Sequence, residues 1–513
     1  MDAAITRRAF LGAGATGAAV LGLGDMAFLS KLPPLSAGEA EPRRQAVRLE
    51  PEIEPLVRFL EDTPRERLLE EAAARIRRGL SYREVLAALL LAGVRSVQPR
   101  PSVGFKFHAV LVVHSVNEAA LSAPDTDRWL PIFWALDYFK QAQTQNIHES
   151  GWTMSPVDES AVPGPGKARE ALVKAMDAWD ESPADAAVAG LARTAGLGEV
   201  FELLYRYGAR DFRSIGHKAI FIANGQRVLT LIGWRHAEPV LRSMAYALLA
   251  HEGDNPAKRD DAADHPWRRN QGLAAQIGAG WQAGNRSKEA TVEMLAALRQ
   301  GSQDDACDKV VQLLRRGAAP QSIWDAVFCG AGELLLRQPG IVALHAVTTS
   351  NALHYAYQTS GDDATRRLLL LQNAAFLPMF RGAMTGRGPL RSAPIDGLEP
   401  SPPASQGPKA IEELFAELGR DRTAVAGKAL AYLQAKGSAK DLMDAGRRLV
   451  FLKGNDPHDY KFSVAAMEDF GHVSAPWRDR YLAAAMLQMR GPGGPDTEVT
   501  RRVRAALGPG KAH

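Results

Sequence analysis

Apolar residues recur at steps of three and four positions along most of the chain, as at Val85, Leu86, Leu89 and Leu90. This period predicts amphipathic α-helices, because residues three and four apart share one face of a helix. Gly or Pro stands at the boundaries between the periodic segments, where helices end. No segment is typical of a strand, so the pattern predicts an all-α fold.

Two long segments of the chain resemble each other, and so do two shorter ones. The long segments run from Arg77 to His108 and from Arg315 to His345, and one deletion aligns them. The short segments run from Gly196 to His217 and from Gly437 to His458, with the same 21-residue spacing. The order long, short, long, short indicates duplication of a two-repeat unit. Such units bury their apolar faces by stacking, which predicts a helical-repeat array, either a closed α-toroid or a superhelix.

The repeats and the Pro/Gly-rich stretches divide the chain into predicted parts. A signal and leader (1–40) come first, and a flexible tail (491–513) comes last. The first half (41–300) contains a long repeat (70–145) and a short repeat (188–253). The second half (301–490) contains a long repeat (308–382), a linker (384–408) and a short repeat (428–490).

The N-terminus has the pattern of a twin-arginine export signal. Arg7 and Arg8 precede Phe10 and Leu11, and an Ala/Gly-rich apolar run follows that is too short to span a membrane. No later apolar run reaches about 18 residues, so we expect no transmembrane span once the signal is processed. The expected location is periplasmic or otherwise extracytoplasmic. Because this route carries folded proteins, many of its passengers already hold a cofactor.

One histidine recurs at the same repeat position four times. Each lies about one turn into a predicted helix and follows a Gly or Pro; the four are His108, His217, His345 and His458. Residues at equivalent repeat positions face equivalent environments, and in a closed ring that environment is the common axis. Four imidazoles meeting there could bind iron, manganese, zinc or copper, or hold a haem.

Two other interpretations of these histidines stay open. Each imidazole could bond a backbone carbonyl of the neighbouring repeat and so hold the stack together, or could act in acid–base chemistry without metal. Glu118 and Glu468 lie ten residues after His108 and His458. Ten residues turn a helix by about 1000°, so these carboxylates do not share the histidine face. We therefore expect them to hold the histidines in place rather than to bind the ion.

Composition narrows the function classes. The 62 basic and 58 acidic residues give a formal net charge of +4, with no dense basic stripe, so no nucleic-acid partner is expected. The only cysteines, Cys307 and Cys329, have no CxxC partner, which disfavours a thiolate metal site. They could bridge in an oxidising compartment or remain buried thiols. Nucleotide-binding, GxSxG and HExxH motifs are absent.

The runs GHKAIFIANGQRVL around His217 and LHAVTTSNAL around His345 resemble the questin oxidase-like family of helical-repeat proteins. The resemblance implies Baeyer–Villiger-type oxygen insertion, with His217 and His345 as the positions carried over. The chain departs from the family pattern at Lys218 and Ala219, where Gly-Leu is expected, and in having an export signal. These departures leave the substrate class open.

Two function classes follow. The first is an exported metal- or haem-dependent oxidoreductase, monooxygenase-like, that acts on a small-molecule substrate at a site lined by the four repeat histidines. The second is a non-catalytic helical-repeat protein that binds a partner of the cell envelope. Metal content separates the two, because only the first class requires it.

Overall fold

This computed structural model describes residues 46–508, and the helical period of the sequence is realised along most of them. Apart from one isolated bridge between Asn285 and Ala318, these residues form no β-structure, which confirms the all-α prediction. In chain order the helices are α1 Glu54–Asp62, α2 Arg65–Arg77, α3 Tyr82–Ser96, α4 His108–Leu111, α5 Val113–Leu121, α6 Leu130–Glu149, α7 Ala168–Ala178, α8 Glu181–Thr194, α9 Leu197–Gly208, α10 His217–Ile232, α11 Ala237–Leu248, α12 His265–Ala274, α13 Lys288–Gln300, α14 Gln303–Arg315, α15 Pro320–Arg337, α16 Ile341–Thr359, α17 Asp363–Thr385, α18 Pro408–Glu417, α19 Arg422–Gln434, α20 Ala439–Lys453, α21 Pro457–His472, α22 Ala475–Ala485 and α23 Glu498–Leu507.

Short 3-10 turns connect several of these helices. They span Phe105–Phe107, Arg213–Gly216, Trp234–His236, Pro256–Lys258, Ala262–Asp264, Trp281–Ala283, Ile395–Gly397 and Met486–Gln488. Two of them, Phe105–Phe107 and Arg213–Gly216, lead directly into the helices that begin at His108 and His217. The chain therefore tightens into a 3-10 turn immediately before two of the four repeat histidines.

Local sequence signals set several of the helix starts. Ser81 and Glu84 form a capping box at the start of α3, in which each side chain accepts from the backbone N–H of the other residue. Asp456 and Asp459 do the same at the start of α21, where Pro457 occupies the first helical position. These caps satisfy N–H groups that have no partner within the helix.

The four helical segments that carry the repeat histidines form a closed ring of neighbours. The segment α4–α5 packs against α10, α10 against α16, α16 against α21, and α21 back against α5. Most residues of α10 and α16 are buried. The ring therefore lies inside the protein, and the remaining helices cover it.

The predicted linker and tail are more structured than the sequence indicated. Within 384–408, Ile395 is fully buried and its backbone N–H donates to Glu333 of α15 at 3.1 Å. Within 491–513, helix α23 packs against α2, where Arg502 pairs with Glu70 at 2.8 Å and Val503 is buried. Helix α23 is therefore a packed part of the structure, although its partner helix lies far away in sequence.

Three other sequence features have simple outcomes. The twin-arginine signal lies outside the described residues, and the division into two halves stays a prediction. No helix among residues 46–508 is long and apolar enough to cross a membrane. Cys307 and Cys329 are both free and buried rather than bridged.

Candidate metal centre

The four repeat histidines meet inside the helix ring. The imidazole rings of His108, His217, His345 and His458 follow one another around a near square, in chain order, with neighbouring ring centres 4.8, 4.4, 4.9 and 4.4 Å apart. The diagonal between His108 and His345 is longer, at 6.4 Å. One nitrogen from each ring lies within 4.8 Å of the other three. The prediction that these residues converge is confirmed.

The ring nitrogens that face one another are the Nε2 atoms. Nε2 of His217 lies 3.0 Å from Nε2 of His108 and 2.9 Å from Nε2 of His345. Nε2 of His458 is buried and has no hydrogen-bond partner. His217 is therefore the ring whose Nε2 lies close to the Nε2 atoms of two neighbours.

The outer nitrogen of each ring is held by an oxygen. Nδ1 donates to the Phe105 carbonyl in His108 (2.8 Å), to the Ser214 carbonyl in His217 (2.6 Å) and to the Ile341 carbonyl in His345 (2.6 Å). In His458, Nδ1 lies 2.6 Å from a carboxylate oxygen of Asp456. A second nitrogen fixed in this way is the usual arrangement of a metal-binding histidine, because it sets both the tautomer and the ring orientation.

These outer bonds determine the chemistry of the inner nitrogens. A backbone carbonyl can only accept, so Nδ1 must carry the proton in His108, His217 and His345. In a neutral imidazole the other nitrogen, Nε2, then has a lone pair and no proton. Two lone pairs that face each other at 2.9–3.0 Å repel unless a cation or proton lies between them. The four inward nitrogens could therefore hold a cation.

Protonation is a poor way to relieve this repulsion. Burial lowers the pKa of His108, His217 and His345 well below the ordinary histidine value, and the charge of Lys461 adds to the effect in each. Burial also lowers the pKa of His458, although Asp456 opposes that shift. At neutral pH the four imidazoles are therefore in the neutral form that binds metals.

Strained backbone places two of the rings. Phe105 has φ 49°, and Ser214 and Ile215 have φ 56° and 45°, although none of the three is glycine. Such conformations cost about 1–3 kcal/mol each and persist where the surrounding structure enforces them. The carbonyls of Phe105 and Ser214 are the acceptors of His108 and His217. The strain thus turns each carbonyl back toward the histidine three residues later.

A glycine is required where two His-bearing helices come closest. Gly216 has φ 82° and precedes His217, and a Cβ at this position would lie 2.0 Å from Oγ1 of Thr349 on α16. The sequence indicated that the histidines lie about one turn into their helices after a breaker. The breakers are confirmed, but His108 and His217 are the first residues of α4 and α10.

A small polar pocket lies farther along the same helices. Its lining comes from positions three, six, seven and ten after the histidines, which follow one another along a helix face. The polar residues that line it are His114, Ser115, Asn224, Arg227, Thr348, Asn351 and Lys461. The space among them is about that of one water molecule.

Two nitrogens of this pocket have no hydrogen-bond partner. They are Nζ of Lys461, three residues after His458, and Nδ1 of His114, six residues after His108, and both side chains are buried. Burial lowers the pKa of Lys461 to about 7. Nδ1 of His114 lies 4.0 Å from the closest Glu118 oxygen, beyond hydrogen-bonding distance.

The residues ten positions after the histidines form a further layer. Arg227 donates to Glu468 at 2.7 Å, and its guanidinium lies 4.0 Å from the centre of the Tyr355 ring. Glu468 also accepts from Asn351 at 2.9 Å. Glu118 accepts from Asn117, and burial raises the pKa of its carboxyl. Neither Glu118 nor Glu468 bonds a repeat histidine, so these carboxylates do not support the ligands as expected. They lie instead at the far side of the pocket.

His354 shows what a buried histidine outside the cluster looks like. It lies nine residues after His345, and its ring packs 4.7 Å from Trp324 and 4.9 Å from Phe328. Burial lowers its pKa to about 3, with smaller effects from His472 and Arg227. This side chain belongs to the aromatic core.

The pKa of His354 predicts a pH-dependent stability. Below the unfolded-state pKa of about 6.5 the unfolded chain takes up a proton that the native state does not, so the free energy of unfolding falls as pH falls. Between pH 7 and 5 the wild type should lose about 2 kcal/mol more than His354→Leu, whose side chain cannot titrate. Urea unfolding at the two pH values measures the difference, and equal losses in both proteins would contradict the assignment.

The chain combines an all-α fold with a buried square of four histidines. Comparison with family models, with curated proteins and with solved structures finds no match at any of the three levels. The functional assignment therefore depends on the geometry of the site.

Proposed function

We propose that the protein binds one transition-metal ion through Nε2 of His108, His217, His345 and His458, and that it is an exported oxidoreductase that uses this ion. The observation that carries the proposal is the pair of Nε2–Nε2 distances, 3.0 and 2.9 Å, between nitrogens that have no proton to share. A metal ion at the centre turns this repulsion into four bonds. The Baeyer–Villiger-type activity implied by the sequence resemblance is one reaction within this class.

The spacing of the nitrogens favours some ions over others. Two nitrogens bound to one ion at 2.0–2.1 Å lie about 2.9 Å apart at a right angle and about 3.3 Å apart at the tetrahedral angle. The distances of 3.0 and 2.9 Å correspond to right angles. Right angles suit copper, iron or manganese in square or octahedral geometry better than tetrahedral zinc.

The same distances disfavour haem. A haem held between two histidines needs about 4 Å between opposed nitrogens and a wide flat slot at right angles to that line. Here the other two imidazoles occupy the space beside any opposed pair, since all four nitrogens lie within 4.8 Å. A single ion fits this site, whereas a macrocycle does not.

The residues of the chain have separate tasks in this proposal. A redox-active ion held by the four imidazoles would supply one-electron chemistry. The carbonyls of Phe105, Ser214 and Ile341, with Asp456, hold the imidazoles in the metal-binding tautomer. Burial keeps bulk water from the centre.

Metal analysis of the full-length protein tests the proposal. The protein is purified without chelator, and samples stripped of metal are reloaded in turn with Fe²⁺, Mn²⁺, Cu²⁺ and Zn²⁺. About one equivalent of iron, manganese or copper should bind per chain, with an oxidation-dependent electron paramagnetic resonance signal and no Soret band. Binding of zinc alone would contradict the oxidoreductase assignment. No binding of any ion would favour the second function class, a non-catalytic binding protein of the envelope.

A further inference from the structure

The four imidazoles of the square differ in the groups that hold their outer nitrogens. Three of them bond neutral backbone carbonyls, whereas Nδ1 of His458 lies 2.6 Å from Oδ1 of Asp456, a carboxylate. Among residues 46–508, Asp456 is the one charged group that bonds a histidine of the square. The four ligands are therefore alike, but the charge behind them is not.

Hydrogen bonds fix Asp456 against His458. The same oxygen, Oδ1, accepts from the backbone N–H of His458 at 2.8 Å and from Nδ1 of its ring at 2.6 Å. The backbone N–H of Asp456 donates in turn to Asp459, which pairs with Arg490 at 2.9 Å. Because the backbone and the ring of His458 bond one oxygen, the carboxylate fixes the direction of the imidazole relative to the start of α21.

A bound ion would bring positive charge to a buried site whose four ligands are neutral. Burial and the nearby charge of Lys461 lower the pKa of all four imidazoles, so the surroundings already disfavour positive charge. Buried charge is unfavourable unless an opposite charge compensates it, and little water screens the interaction inside a protein. Asp456 is the carboxylate in position to provide this compensation, through the ring of His458.

We propose that Asp456 is a positioning residue that makes His458 the most strongly donating of the four ligands and so stabilises the more oxidised state of the bound ion. An anionic acceptor forms a stronger hydrogen bond than a carbonyl does, and it raises the basicity of the imidazole nitrogen that faces the metal. The more oxidised state carries the greater charge, so it gains more from the carboxylate. This inference rests on the metal site proposed above and states how the chain sets the reduction potential of that site.

The test uses full-length protein loaded with Cu²⁺, the divalent ion that nitrogen ligands bind most tightly in the first transition row. Asp456→Asn keeps an oxygen that accepts from Nδ1, and asparagine caps a helix as well as aspartate does, so this variant removes the charge alone. Its affinity for Cu²⁺ should fall at least tenfold relative to its affinity for Cu⁺, with one copper still bound. The reduction potential should therefore become more positive by at least about 59 mV, the equivalent of tenfold for one electron. Spectroelectrochemical titration measures the potential, and chelator competition measures the two affinities.

Two further variants complete the test. Asp456→Ala also removes the hydrogen bond to Nδ1, so its affinity for both oxidation states should fall 10–100-fold. Asp421→Asn is the matched control, because Asp421 caps α19 through the backbone N–H groups of Thr423 and Ala424 and holds no imidazole. Its potential should equal that of the wild type. An unchanged potential in Asp456→Asn with one copper bound overturns the inference and leaves the metal site standing, whereas failure of the wild type to bind Cu²⁺ overturns both proposals.

Discussion

Replacing His217 by alanine is expected to abolish stoichiometric metal binding. His217 is the corner whose Nε2 lies within 3.0 Å of two other ring nitrogens, so its removal opens the square. Loss of an outer-shell partner already costs 10–100-fold in metal affinity, and loss of a ligand should cost more than about 100-fold. Metal content after dialysis, and competition with a chelator of known affinity, measure the loss.

The same variant separates a metal site from a purely structural histidine cluster. In the metal-free state, His217→Ala removes two repulsive nitrogen contacts, which offsets the cavity left by the smaller side chain, so the melting temperature should change little while metal content is lost. A structural role predicts the reverse, a clearly lower melting temperature with unchanged metal content. His354→Leu is the matched control, because His354 is equally buried but lies among aromatic rings. It should keep the full metal content.

The convergence of the histidines could be predicted because repetition carries information on position. His108, His217, His345 and His458 recur at one place in four similar segments, and equivalent places in a ring face one axis. The structure assigns His458 to the cluster, whereas Tyr460 is fully buried and packs 4.7 Å from Trp134.

The polar pocket was missed, although a signal for it existed. Its residues lie three, six, seven and ten positions after the histidines, so each continues the histidine stripe along its helix. Only the two carboxylates at position ten were noticed, and their angle to the histidine suggested a supporting role. The sequence could not show which side chains of the pocket pair with each other. Arg227 pairs with Glu468, for example, and these residues lie on two helices 241 residues apart.

Local sequence preference also misses the strained turns before the histidines. Phe105 and Ile215 are bulky residues with positive φ, a conformation that local preference assigns to glycine or asparagine. The tertiary structure enforces it, and in these two turns the carbonyls of Phe105 and Ser214 accept from Nδ1 of His108 and His217. Departures from local preference of this kind are expected at functional sites, and these two turns lead into the candidate metal centre.

Lys218, the residue after His217, has a clear structural role. Lys218 and Asp211 are fully buried, and Nζ of Lys218 donates to Asp211 at 2.9 Å and to the Ala250 carbonyl at 2.8 Å. Arg213 lies 3.6 Å and Arg210 3.8 Å from the same carboxylate. Lys218 therefore belongs to an ion cluster at the start of α10. This cluster helps fix the helix terminus that carries His217.

Asp211→Ala is expected to destabilise the protein by about 3–5 kcal/mol, because it leaves the buried Lys218 without its counterion. The double variant Asp211→Leu with Lys218→Met should recover most of this loss, since apolar groups of similar volume replace both charges. Asp308→Ala, which breaks an exposed pair with Arg269, should cost under about 1 kcal/mol. Urea unfolding of the metal-free proteins measures all three changes. A loss for Asp211→Ala as small as that for Asp308→Ala would mean that water reaches Lys218, and the rigid support of His217 would then have to come from the Ser214 carbonyl and the strained turn alone.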